Sequence, residues 1–118
     1  MNRSDGVRLI VACPDCAVKK SIDDVNEAVA FYRRHHAITG HDVEWRHAEL
    51  DEGAISGADL RSVIAALETR VEGNVPLGLV TVVMSERDMT IGETLEAVRE
   101  LRMNGELYEP RDDHLRVT

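Results

Sequence analysis

With 118 residues the chain has room for one ordinary domain or for two small ones that each need help to stay folded. A formal net charge of -8, from 22 acidic against 14 basic residues, describes a hydrated and self-repelling surface. No apolar run approaches the roughly 18 to 20 residues of a membrane span, and Met1 to Asp5 lead into no signal-peptide core, which predicts a soluble, cytoplasmic protein.

The elements follow in chain order. Gly6 to Cys13, with Val7, Leu9, Ile10, Val11 and Ala12, reads as a strand ending at the first cysteine. Ser21 as N-cap with Asp24 three places on, then Ile22, Val25, Ala28, Val29 and Tyr32 at helical spacing, predicts a helix over about 22–37 that Gly40 ends. Alternation from Asp42 to Leu50 around Val43 and Trp45 predicts a second strand. The N-terminal module, residues 1–51, is therefore expected to be β-α-β. A polar stretch with two glycines, Asp51 to Gly57, has the composition of a linker.

In the C-terminal module, residues 58–118, Leu60, Val63, Ile64 and Leu67 mark a helix of about 58–71. A second helix is expected from Pro76 to about Glu86, with a buried strand over Leu77 to Met84 as its competitor, because Val80 to Val83 are β-prone. Thr90, Ile91, Gly92, Glu93 form a capping box, and Ile91, Leu95, Val98 and Leu101 share one helical face up to Asn104 and Gly105. Glu106 to Thr118 divides around Pro110, Arg111, Asp112, Asp113 into a hairpin. Helix, helix, helix, hairpin is the order of a winged helix-turn-helix, so the expected fold class is α+β.

Cys13 and Cys16 form a Cys-x2-Cys pair; His35 follows after 18 intervening residues and His41 after five more. Such a pair on a tight turn can offer two thiolates to one tetrahedral ion, and histidines bracketing a helix end can complete it. The condition is that a helix some 22 Å long brings its far end back to the cysteines. This segment resembles small haloarchaeal zinc-finger-type proteins with a Cys pair and His-x5-His, here His35, His36, Ala37, Ile38, Thr39, Gly40, His41. The resemblance implies a structural zinc ion on Cys13, Cys16, His35 and His41, with His36 as the competing first histidine. The acidic, arginine-over-lysine composition also resembles proteins of salt-accumulating haloarchaea, for which molar salt screens surface charge over about 3 Å.

A strand running into Cys-Pro-x-Cys and then a helix is also the arrangement of thioredoxin- and glutaredoxin-like proteins, which leaves thiol-disulfide chemistry at Cys13 and Cys16 as the enzymatic alternative. The C-terminal half resembles the winged-helix domain of archaeal minichromosome maintenance helicases, through Leu101 to Pro110 and His114 to Val117. That resemblance implies contact with DNA or with a DNA-bound protein complex. The residues placed to make it are Arg99, Arg102, Arg111, His114 and Arg116. The chain holds no Walker motif, so no ATPase activity is carried over. The sequence therefore points to a non-enzymatic, DNA-associated binding protein in transcription or replication, with a pure protein adaptor as the third reading.

Overall fold

The structure is a computed structural model that describes residues 9–48 and 59–118. It is α+β, with four helices and two small antiparallel sheets among the described residues. The linker expected at 51–57, and the ends of the strands expected at 6–8 and 49–50, lie outside them.

The first half runs β1 (Leu9–Cys13), β2 (Val18–Ile22), α1 (Val25–Thr39), β3 (Glu44–Ala48), in sheet order β2-β1-β3. The expected β-α-β unit is thus corrected to β-β-α-β. The added strand is legible only in retrospect, because Val18 to Ser21 are exposed and show no apolar alternation, while Ile22 alone is buried. The predicted helix start also moves: Asp24, not Ser21, is the N-cap, its carboxylate accepting from the Asn26 N–H at 2.9 Å. At the other end Gly40, at φ 78°, takes the left-handed conformation that lets its N–H reach His36 O.

The second half runs α2 (Leu60–Val71), β4 (Val75–Pro76), α3 (Leu77–Ser85), α4 (Ile91–Met103), β5 (Leu107–Arg111), β6 (His114–Val117), in sheet order β4-β6-β5. Leu77 to Met84 is helix and not strand. Every residue from Leu77 to Met84 is buried, and a helix enclosed on all sides carries no polar stripe to betray its period. The capping box at Thr90 and Glu93 is present as expected.

The halves interlock. Val29 of α1 lies in the same apolar cluster as Val63, Ile64, Leu67, Val80 and Leu115, and Ile91 of α4 lies in the cluster of Leu9, Val11, Ile22, Ala28 and Val43. Gly78 allows α1 and α3 to touch: a Cβ there would stand 2.0 Å from Val25 O. The Gly78 N–H, which has no intrahelical acceptor at the start of α3, donates to Asn26 Oδ1 at 2.6 Å. Trp45, the chain's one tryptophan, donates from Nε1 to Thr81 Oγ1 at 2.9 Å, and that hydroxyl donates in turn to Gly78 O at 2.6 Å.

Candidate metal centre

Why the cysteines and histidines meet follows from β2. From the turn at Cys13–Cys16, β2 carries the chain away from the thiols, and α1, about 22 Å long, carries it back. The helix end at His35 and the loop residue His41 then face the hairpin turn. The sulfurs of Cys13 and Cys16, one nitrogen of His35 and one of His41 all lie within 4.8 Å of one another. Cys13 Sγ is 3.6 Å from His41 Nδ1, and Cys16 Sγ is 3.6 Å from His35 Nε2. A tetrahedral zinc, with Zn–S of about 2.3 Å and Zn–N of about 2.0–2.1 Å, sets sulfur–nitrogen separations near 3.5 Å. The third pair, Cys16 Sγ to His41 Nδ1, is closer at 3.0 Å and would open by about 0.5 Å around an ion.

His36 turns elsewhere. It stacks on Tyr32, with ring centroids 5.1 Å apart, and its Nδ1 meets His41 O at 3.2 Å. His35 stacks on Phe31 at 5.5 Å, which holds its ring toward the thiols. The loop between the two ligands is tied to the helix: Thr39 Oγ1 donates to His35 O at 2.7 Å and accepts from the His41 N–H at 3.1 Å. Cys13 is buried and the other three are partly buried, so four protein side chains could hold one ion between them. That donor set, two thiols and two imidazoles, fits a structural zinc.

The same geometry bears on thiol chemistry. Cys16 leads into β2, and α1 begins only at Val25, so the helix does not start at the pair as it does in the thioredoxin-like arrangement. Burial first, and then the hydrogen bond and charge of Cys13 and the charge of Asp15, push the Cys16 thiol above its ordinary value.

The five basic residues placed against DNA are spread over α4 and the hairpin. Arg99 pairs with Glu96 at 3.6 Å, Arg102 with Glu109 at 3.0 Å and Arg116 with Glu68 at 3.5 Å. His114 Nδ1 meets Asp112 O at 2.8 Å, and Arg111 is exposed. Arg99 and Arg102 border a cavity of about 490 Å³ with Met103, Leu107 and Tyr108. The hairpin turn is anchored too: the Asp113 carboxylate accepts from Nη1 and Nη2 of Arg33, each at 3.0 Å, and its carbonyl accepts from Asn26 Nδ2 at 3.1 Å.

Asp42, next to His41, carries no motif in the sequence yet reaches α4: Oδ2 accepts from Thr90 Oγ1 at 2.7 Å and Oδ1 from the Gly92 N–H at 2.9 Å. Its only signal in the sequence is adjacency to a ligand. Charge from Asp42 and Glu96 adds to burial in holding the Tyr32 phenol above its usual range.

Residues 10–47 match the family model described as HVO_B0008 N-terminal, and residues 65–115 match the model described as HVO_B0008 C-terminal domain. The chain is thus similar to both, in that order. Neither description speaks to the zinc-finger or helicase resemblances drawn from the sequence. No curated protein and no solved structure matches the chain. No helix among the described residues is long and apolar enough to cross a membrane.

Proposed function

We propose that this is a binding protein without catalytic activity: a winged-helix module, braced by a structural zinc on Cys13, Cys16, His35 and His41, that docks a protein partner. The order α2-β4-α3-α4-β5-β6 with sheet order β4-β6-β5 supports the winged-helix reading, in which α4 would be the recognition helix. One observation favours docking a protein over reading DNA. The first turn of a recognition helix is the part that meets base edges, and here Asp42 and Val43 bond to it while Tyr32 crowds Gly92. Carboxylates already occupy Arg99, Arg102 and Arg116. Exposed Arg111, beside His114 on the hairpin, favours a second reading in which the wing alone touches a phosphate backbone within a DNA-bound complex.

The metal reading predicts close to one zinc per purified chain, lost in His35→Ala and kept in His36→Ala; loss in His36→Ala alone would reverse the ligand assignment. Fluorescence anisotropy on a labelled DNA duplex separates the two docking modes. The protein-docking reading predicts no binding whose affinity falls with salt. Salt-dependent binding abolished by Arg111→Ala would replace it with the wing reading.

A further inference from the structure

An α-helix begins with four backbone N–H groups that have no acceptor within the helix. In α4 the capping box takes two of them, the Thr90 N–H donating to Glu93 Oε1 at 3.0 Å and the Glu93 N–H to Thr90 Oγ1 at 3.1 Å. The other two leave the helix: the Ile91 N–H donates to Val43 O at 3.1 Å and the Gly92 N–H to Asp42 Oδ1 at 2.9 Å. Half of the cap is therefore made by residues one and two places beyond His41. The Asp42 carboxylate also sits at the positive end of the helix dipole and holds the Thr90 hydroxyl. The seat is tight, since a Cβ on Gly92 would lie 2.6 Å from Asp42 Oδ2 and 2.7 Å from the Tyr32 hydroxyl. Beneath it, Ile91 and Val43 are both buried in the same cluster.

The geometry points to a metal-gated clamp: an ion on Cys13, Cys16, His35 and His41 fixes the backbone of 41–43 and so holds the first turn of α4 against the N-terminal half, and loss of the ion releases that turn. This inference rests on the metal reading. The ligand bonds would add a metal tether from the 40–43 loop to the β1–β2 turn, where the bonds now joining them are the contacts of His41 with the two thiols, while Thr39 and His36 tie the loop back to α1. The cluster built on Val63, Ile64, Leu67, Val80 and Leu115 takes nothing from that loop, so α2, α3 and the hairpin keep their packing when it loosens. What the release uncovers is the buried side chain of Ile91 at the start of α4.

Hydrogen exchange on the full chain, loaded with zinc and stripped by chelator, tests this, with zinc measured on the same samples. In the stripped protein the Gly92 amide, which loses a hydrogen bond to a charged group, is expected to exchange about tenfold faster or more, and the Ile91 amide, whose acceptor is the Val43 carbonyl, about fivefold faster, while amides in α2 stay as they were. Asp42→Ala should retain one zinc per chain yet exchange fast at Gly92 in both states. Asp42→Asn, which keeps an oxygen for Gly92 without the charge, should fall between. Equal protection at Ile91 and Gly92 with and without zinc overturns the clamp, as does protection lost evenly across α2 and α4, which would make the ion a brace for the whole fold. A chain that takes up no zinc overturns the clamp together with the metal reading, and the zinc assay tells that failure from the other two.

Discussion

Gly78→Ala is the sharpest test of how the two halves meet, because competing effects give it opposite signs. In an exposed helix, alanine is better than glycine by about 1 kcal/mol. At this position a Cβ would stand 2.0 Å from Val25 O, 2.2 Å from Val25 C and 2.7 Å from Asn26 N. All three are backbone atoms at the start of α1, so no side chain can swing aside. Reaching ordinary contact requires α1 and α3 to part by roughly 1.4 Å, across an interface where Val29 and Val80 are fully buried. Overpacking of this kind costs about 1–3 kcal/mol and sometimes more, and the parting stretches the Asn26–Gly78 hydrogen bond, worth about 1 kcal/mol. The net expectation is a loss of about 2–3 kcal/mol, a fall in melting temperature on the order of 10 °C for a chain this size. Thermal and urea unfolding of the purified variant measure it. A variant as stable as the parent, or more so, would mean that the helices separate freely and that the close approach contributes nothing.

Thr81→Val removes the acceptor for the Trp45 indole and leaves its N–H in a partly buried site. Unfolding should then come about 1–3 kcal/mol more easily, and tryptophan fluorescence, which has a single source here, should report it; an unchanged midpoint would make the bond irrelevant to stability. Asp59 caps α2 by accepting from the Ser62 N–H, and the Ser62 side chain first, with that N–H second, holds its carboxyl below the usual range. A group whose pKa is lowered by folding stabilises the protein above its unfolded pKa and ceases to do so as pH falls through the lowered value. Asp59→Ala should therefore lower the urea midpoint near neutrality and converge on the parent in acid, and a gap that stays constant with pH would contradict this.

Sequence periodicity served best where an element has one wet face and one dry one. α4 shows its capping box and its Ile91, Leu95, Val98 stripe because its other side meets water. The same logic fails at both extremes, for α3, which is enclosed, and for β2, whose first four residues are all exposed. At the site, residue type and spacing were enough to bring forward Cys13, Cys16, His35 and His41 together. Choosing His35 over His36 was not possible from spacing, since adjacent helix positions differ by about 100° and the packing of α1 sets which one faces the thiols. The roles of Asp42 and of the carboxylates on Arg99, Arg102 and Arg116 depend on contacts made after folding, and no local pattern announces them.

The sequence contains two lysines, Lys19 and Lys20, and both stand exposed on β2, an outer strand of its sheet. An unpaired strand edge invites a neighbouring chain to add to it, and ammonium groups there make such stacking unfavourable. The same placement concentrates amine-directed cross-linking or acylation on that rim, so a reagent aimed at lysine would mark this one flank of the molecule and leave the helices untouched.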